Sequence, residues 1–230
     1  DRSPSRGLGD VYKRQVNNEL IITDSRLLSK DEVMAIGVDN FAPLSEVPMP
    51  RAATITRGRL TITFSGVYNT SNGVSCNLTG TAHWDDSGLH TEGENYCATG
   101  EDFIGVTWSG SFTAKSHSIS GKNQLGGALT IYNSDSTPNA GRVWSFKDSN
   151  PTSKYTLYAK DINLNVNISK NTLTGNGNTA EAVLKYIHTY SKVKGSISIT
   201  PGSETVAGSF SLSNTDRQWS LVCTVTNIPY

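Results

Sequence analysis

The sequence predicts an all-β fold, either an antiparallel up-and-down barrel or a two-sheet sandwich, with about ten to twelve strands and one or two short helices. The first observation behind this prediction is that several segments alternate apolar residues with Thr, Ser or Asn. The second is that clusters of Gly, Asn and Ser separate those segments, as turns between strands require. The third is composition: 17% of the 230 residues are charged and 36% are hydrophobic, which is unlike a helical bundle.

Alternation defines most of the predicted strands. Apolar residues share one parity from Ile104 to Ala114, and a polar turn is expected at 115–127 before a strand returns through Tyr132. Glycine within several of these segments predicts the bulges and bends of a curved sheet, which favours the barrel over the sandwich. Further strands are predicted at 20–22, 60–64, 76–84, 142–146, 155–168, 194–200, 206–212 and 219–226.

Two segments carry helical signals instead. Ser29 and Glu32 form a capping-box pattern, in which each side chain can bond the backbone amide of the other. Asn178 and Glu181 repeat that pattern, and apolar residues follow them at helical spacing. We therefore expect a short helix after Ser29 and a helix over Asn178–Tyr190 that covers one end of the fold. A long strand is the alternative for the second segment.

The chain divides into three parts by sequence. Residues 1–15, DRSPSRGLGDVYKRQ, resemble a translated sequencing adapter and are interpreted as an artefact outside the fold. The natural N-terminus is then expected to lie upstream. Residues 16–50 form a lead-in with a short helix and a Pro-rich connector. Residues 51–230 are predicted to form a single β domain, with 133–153 as the place for a boundary if there are two.

Similar short phrases recur in the β region, namely WSGSF at 108–112, KGSIS at 194–198 and AGSFS at 207–211. With its many short strands, this pattern resembles the up-and-down barrels of bacterial surface lipoproteins of the transferrin-binding type. The resemblance implies a barrel fold, but it does not identify a ligand or a site residue in this chain.

Several function classes are disfavoured. The formal net charge is zero, so no global field attracts nucleic acid. The chain contains no run of 18 apolar residues that would predict a membrane span. Phosphate-binding loops, nucleophile elbows and zinc motifs are absent from the sequence, so an enzyme is the less favoured class. The favoured function is a non-enzymatic binding module, secreted or exposed on a cell surface, that recognises a glycan or a surface protein through its end loops.

The candidate site is the polar loop between the strands at 76–84 and 104–114. From Leu60 to Ala114 the chain has six acidic residues and neither Lys nor Arg. A solvated loop is the simplest interpretation, but clustered carboxylates are also the ligands of Ca²⁺, the one cofactor considered. The predicted ligand-binding residues are Trp84, Asp85, Asp86, His90, Glu92 and Glu94.

Two further functions stay open. Acids of this loop would serve a carbohydrate-active enzyme, which needs two carboxyl groups about 5–10 Å apart. A structural virion or fibre domain is the other alternative. Tryptophan and tyrosine side chains in the strands either fill the core or form a sugar-stacking face, with Trp84 the first candidate because it borders the loop.

The three cysteines predict one disulfide. Cys76 and Cys97 flank the polar loop, and a bridge between them would close it. Cys223 lies within an alternating segment and is interpreted as a buried free thiol. Three reduced cysteines are the alternative.

Overall fold

Antiparallel β-strands make up most of the chain, and the residues that the structure describes include no helix. The computed structural model describes residues 9–16, 19–27, 52–69, 75–85, 93–171, 179–190, 196–213 and 217–229. Within these ranges, no helix has the length and apolar character needed to cross a bilayer. The strands are β1 Gly9–Val16, β2 Glu19–Leu27, β3 Ala53–Arg57, β4 Leu60–Asn69, β5 Ser75–Trp84, β6 Asp102–Trp108, β7 Phe112–Asn123, β8 Ile131–Thr137, β9 Gly141–Phe146, β10 Ser149–Pro151, β11 Thr156–Lys170, β12 Thr179–Thr189, β13 Ile197–Thr200, β14 Ser209–Leu212 and β15 Gln218–Pro229.

The chain has two compact units, Asp1–Val47 and Pro48–Tyr230. In the first unit, β1 and β2 pair as an antiparallel hairpin, and the strand predicted at 20–22 lies within β2. The assignment of residues 1–15 to an adapter artefact and of 16–50 to a lead-in stays a prediction. The short helix expected after Ser29 falls outside the described residues.

The second unit contains two antiparallel sheets packed as a sandwich. One sheet has the order β10-β11-β5-β4-β3, with β7 also paired to β11, and the other has the order β15-β12-β6-β9-β8. Alternate residues of β4 and β5, such as Ile62 and Leu78, are fully buried between the sheets, because successive side chains of a strand point to opposite faces. The predicted all-β class is confirmed. The sandwich, and not the favoured barrel, is the arrangement the chain adopts.

The central strand β6 is buried on both faces. Its inward side chains, including Val106 and Trp108, belong to the core between the sheets. Its outward Phe103 belongs to a second apolar cluster, in which Phe210 of the β13–β14 hairpin packs over the sheet. Gly105 makes this close packing feasible, because a Cβ atom there would lie 2.8 Å from Cε1 of Phe210. The hairpin thus forms a third layer over part of the second sheet.

Two local predictions were wrong. Asn178–Tyr190 was expected to be a helix, but 179–189 is β12, paired with β6 and β15. Its true signal is a period of two, since Ala180, Ala182, Leu184, Tyr186 and His188 are all at most 1% exposed. The polar turn expected at 115–127 was also misplaced. Strand β7 continues to Asn123, and its polar middle is exposed while it pairs with β11.

Candidate functional site

One end of the sandwich contains three described connecting segments, and we call it the loop end. It contains the β3–β4 turn at 58–59, residues 93–101 of the β5–β6 connection and the segment 147–155 around β10. Leu60 pairs with Trp84 at this end of the first sheet, and Asp102 pairs with Phe146 at this end of the second. The rings of Trp84 and His188 bring the two sheet ends together, with centroids 5.1 Å apart.

Trp84, the first candidate for sugar stacking, lies in the core. Its side chain is 1% exposed, and its Nε1–H donates a hydrogen bond of 3.2 Å to Tyr186 Oη. A ring in this position has no open face for a ligand. Trp108, Trp144 and Trp219 are likewise buried, whereas Tyr132 and Tyr155 are 60% and 55% exposed. The exposed aromatic surface of the described residues therefore comes from tyrosine and not from tryptophan.

Two of the predicted acidic residues lie at the surface of the loop end. Asp85 contacts His83, whose Nε2 lies 3.1 Å from Asp85 Oδ1. Glu94 pairs with Arg57 across the β3–β4 turn at 3.0 Å. Both carboxylates are more than half exposed and accessible to a ligand. The remaining predicted ligand-binding residues lie outside the described residues; they are Asp86, His90 and Glu92.

The predicted disulfide is not formed, because Cys76, Cys97 and Cys223 are all free thiols and all buried. Cys76 pairs with Ile168 near one end of β11. Cys97 Sγ lies 3.6 Å from the carbonyl oxygen of Ala159 near the other end. Nine residues of strand separate those two contacts, or roughly 30 Å, whereas a disulfide needs Cα atoms within about 7 Å. The spacing in sequence misled the prediction because the two cysteines lie at opposite ends of the sheet.

A fully buried cluster of two aspartates and one histidine lies beneath the loop end. Asp102 opens β6, Asp148 lies between β9 and β10, and His188 lies near the end of β12; their side chains are 0% exposed. His188 Nδ1 is 3.0 Å from Asp102 Oδ2 and 3.4 Å from Asp148 Oδ2. These residues are 40 or more positions apart in sequence, so they come together only in the folded chain.

Hydrogen bonds hold both carboxylates in place. Tyr186 Oη–H donates to Asp102 Oδ2 at 2.6 Å, and the Thr189 amide donates to Asp102 Oδ1 at 2.8 Å. The Ala98 amide donates to Asp148 Oδ2 at 3.1 Å. Asp148 Oδ1, in contrast, is buried and has no hydrogen-bond partner among the described residues.

Burial and mutual repulsion determine the protonation of this cluster. Burial, reinforced by the charge of Asp102, raises the pKa of Asp148 well above its usual value. Burial and the two aspartates also raise the pKa of Tyr186. Burial lowers the pKa of His188, but the charge and hydrogen bond of Asp102 outweigh burial, so the net shift is upward. The cluster therefore favours a neutral Asp148 and a charged His188.

The cluster and its neighbours also anchor the second half of the acidic loop. His188 Nε2 lies 3.4 Å from the Gly93 carbonyl oxygen, and Trp219 Nε1–H donates to the Glu94 carbonyl at 2.6 Å. Further along, Thr189 Oγ1–H donates to the Glu101 carbonyl at 3.0 Å. Residues 93–101 are therefore fixed to the core at several points, and their outward side chains have a defined place.

An open cleft of about 250 Å³ lies at the loop end. Its walls come from the start of β6, the β7–β8 connection, the end of β9, β10 and the start of β11. The lining combines an exposed aromatic ring, aliphatic side chains, amides and one charge of each sign. The lining residues are Glu101, Asn123, Ala128, Leu129, Thr130, Tyr132, Lys147, Asn150 and Leu157. The sequence analysis included only two of these residues among its candidates: Tyr132, as one of the strand tyrosines, and Glu101, as one of the six acidic residues between Leu60 and Ala114.

Comparison with known proteins gives no family. No protein-family model matches the chain, and no curated protein matches it. Among solved structures, it is similar to one from a study of pH-induced modulation of Streptococcus parasanguinis adhesion by Fap1 fimbriae, with 12% identity, a TM-score of 0.30, and 79% of this chain and 93% of that chain covered. A second is AvmM, which catalyses macrocyclization in alchivemycin A biosynthesis, with 13% identity, a TM-score of 0.26, and 75% and 95% covered. At these TM-scores neither similarity supports a function.

Proposed function

We propose that this protein is a non-enzymatic β-sandwich binding module that holds a polar ligand of the glycan class in the cleft at its loop end. The main support for this proposal is the set of residues that line the cleft. It places the exposed ring of Tyr132 beside the aliphatic side chains of Leu129 and Leu157 and the polar side chains of Glu101 and Asn150. Ligand sites typically combine an apolar surface with a few polar groups that fix orientation.

This combination suits a sugar. The apolar C–H face of a pyranose packs on an aromatic ring, while its hydroxyl groups need donors and acceptors at the rim. Glu101 supplies acceptor oxygens, Lys147 supplies donors, and the Asn150 amide supplies both. Because Glu101 and Lys147 carry opposite charges, the cleft has no net charge from these two groups, which favours a neutral or weakly charged ligand.

The walls of the cleft are fixed before any ligand binds. Asn123 Oδ1 accepts hydrogen bonds from the amides of Leu125 and Gly127, which shapes the β7–β8 connection. Gln124 joins that connection to β11, because its Nε2–H donates to the Thr156 carbonyl and its Oε1 accepts from the Tyr158 amide. A preformed site loses less conformational entropy on binding, so modest contacts give useful affinity.

The acidic loop belongs to the same proposal. It leads into Glu101, and its exposed Asp85 and Glu94 lie at the same end of the sandwich. A ligand larger than one or two sugar units would extend from the cleft over this loop, and Ca²⁺ bound by loop carboxylates stays part of the proposal. So does a location at the cell surface or outside the cell, supported by the low charge and the abundance of Ser, Thr, Asn and Gly in the sequence.

A glycan screen followed by calorimetry tests the proposal. Tyr132→Ala and Asn150→Ala are each expected to weaken binding about three- to tenfold, the loss that follows from one stacking or hydrogen-bonding contact. Tyr155→Ala is the matched control, because Tyr155 is exposed to a similar extent but does not line the cleft. Equal affinity in all the variants would refute the site, and hydrolysis of a bound polysaccharide would refute the non-enzymatic assignment.

A further inference from the structure

We propose that Asp102, Asp148 and His188 form a buried binding site for one divalent transition-metal ion of the zinc class. One nitrogen and two carboxylate oxygens from these residues all lie within 4.8 Å of one another. Imidazole together with carboxylate is a donor set that zinc accepts. The ion would join β6, the β9–β10 connection and β12, and this site does not depend on the proposed glycan binding.

The negative charges of the two buried aspartates require positive charge nearby to balance them. Two carboxylates face each other at 0% exposure, inside a shell that includes the rings of Trp84, Tyr186 and Trp219. His188 is the one basic side chain bonded to them among the described residues. If both buried carboxylates are ionised, they carry one more negative charge than a single imidazolium balances, so either a proton on Asp148 or a metal ion that replaces this proton must compensate.

The unpartnered oxygen of Asp148 is the independent observation that favours a ligand. Asp148 Oδ1 is fully buried and accepts no hydrogen bond from the described residues. Leaving a buried polar atom unpaired costs free energy, and such atoms in folded proteins are commonly explained by an ion or a water molecule. The other oxygen of the same carboxylate, Oδ2, lies 3.4 Å from His188 Nδ1, so the unpartnered oxygen belongs to a side chain that is directed at the cluster.

The geometry of His188 is that of a metal ligand. Its Nε2–H points to the carbonyl oxygen of Gly93 at 3.4 Å, which leaves Nδ1 facing the carboxylates. Metal-binding histidines usually donate the second ring N–H to a carbonyl or a carboxylate in this way. The separations of 3.0 and 3.4 Å from Nδ1 to Asp102 and Asp148 also match neighbouring ligands around an ion with bonds of about 2.1 Å.

The donor set distinguishes this ion from Ca²⁺. Calcium takes about six to eight oxygen ligands, whereas this cluster offers the four oxygens of Asp102 and Asp148 and one nitrogen. One oxygen from each aspartate and His188 Nδ1 supply three donors within 4.8 Å of one another, and a second carboxylate oxygen or a water molecule would complete the four ligands that zinc most often takes. We therefore expect the site to bind Zn²⁺ with much higher affinity than Ca²⁺.

The test is refolding of the full chain with and without added Zn²⁺, because a fully buried site loads most readily during folding. After removal of free metal, elemental analysis is expected to give about one zinc per chain. The loaded protein should have a higher midpoint of thermal unfolding than the metal-free protein. Cobalt in place of zinc should give the visible absorption bands of a low-coordinate site. A chain that refolds but retains neither metal would overturn the proposal.

Variants locate the ion. Asp148→Asn keeps the shape of the side chain and is expected to reduce zinc affinity at least tenfold, with the loss of the cobalt bands. His83→Ala is the control, because His83 with Asp85 and Asp161 forms an exposed group of similar composition. Binding that survives Asp148→Asn but disappears in His83→Ala would place the ion at the surface and overturn the assignment. Should Asp148→Asn fail to fold, the cobalt spectrum of His83→Ala still decides, because bands that persist in this variant support the buried cluster and bands that disappear overturn the assignment.

Discussion

Replacement of Phe210 by alanine is the sharpest test of the layered packing over β6. Phe210 is 1% exposed and packs with Phe103, Val143 and Ile187 on the outer face of the second sheet. A Cβ atom on Gly105 would lie 2.8 Å from its ring, so the ring packs directly on the β6 backbone. The substitution removes the phenyl ring and leaves a space over the backbone of the central strand β6.

The expected loss follows from known core truncations. Removing a buried phenylalanine side chain in favour of alanine costs about 3–5 kcal/mol of unfolding free energy. The β13–β14 hairpin is an outer layer and can settle onto the space that is left, so a value near the lower limit, about 3 kcal/mol, is expected.

Urea unfolding of the wild type, Phe210→Ala and Val206→Ala measures this loss. Val206 precedes the same hairpin strand and is 53% exposed, so its truncation is expected to change stability by about 0.5 kcal/mol or less. Equal slopes of free energy against urea concentration would show that the unfolded states are comparable. A loss below about 1 kcal/mol for Phe210→Ala would refute the third layer, since that is the size of a typical surface or partly buried change.

Three further predictions follow from the core. Gly105→Ala is expected to cost about 1–3 kcal/mol in urea unfolding, because its Cβ would lie 2.8 Å from the carbonyl oxygen of Arg142; wild-type stability would contradict this packing. Trp84→Phe removes the Nε1–H bond to Tyr186 and is expected to cost about 0.5–1.5 kcal/mol while leaving glycan binding unchanged; weakened binding with full stability would contradict the core position. Burial raises the pKa of Cys76 to about 12, so at about pH 8 this thiol is protonated and should resist disulfide reagents until the chain unfolds; rapid labelling of Cys76 in the native protein would contradict its burial.

The sequence predicted strands well where one face is buried and the other is exposed. In β4 from Leu60 to Val67 and in β11 from Ile162 to Ile168, buried residues alternate with more exposed ones, because one face of each strand lies in the core. The prediction failed at β12, where Val183, Ile187 and Tyr190 also match a helical spacing. Local capping patterns cannot outweigh pairing with β6 on one side and β15 on the other, and such pairing is invisible in a short window.

Only part of the candidate site could be predicted from the sequence. The acidic loop was found because its charges are adjacent in the chain, and Glu101 does line the cleft. The buried cluster was missed because Asp102, Asp148 and His188 are far apart in sequence. One signal was present: His188 has the parity of Leu184 and Tyr186, and a titratable residue on an apolar face calls for a buried partner.

The barrel and the disulfide failed for a related reason. Glycines such as Gly110 and Gly208 were interpreted as bends of a closing sheet, but Gly110 lies in the β6–β7 turn, and Gly208 precedes β14, where a Cβ atom would lie 2.5 Å from the Thr200 carbonyl oxygen. The proposed bridge relied on Cys76 and Cys97 flanking one loop. Loop length gives no information about which strand ends the cysteines face, and here they contact opposite ends of β11. Both errors concern how elements pack, which local patterns do not encode.

The central claim is that the cleft at the loop end binds a polar ligand, and a nuclear magnetic resonance titration tests it most directly. The full chain, isotope-labelled, would be titrated with the glycan that binds best in the screen. We expect saturable shifts of backbone amides, concentrated at Glu101, Tyr132, Lys147 and Asn150. Shifts concentrated instead at the opposite end of the sandwich, around 109–111 and 138–140, would contradict it.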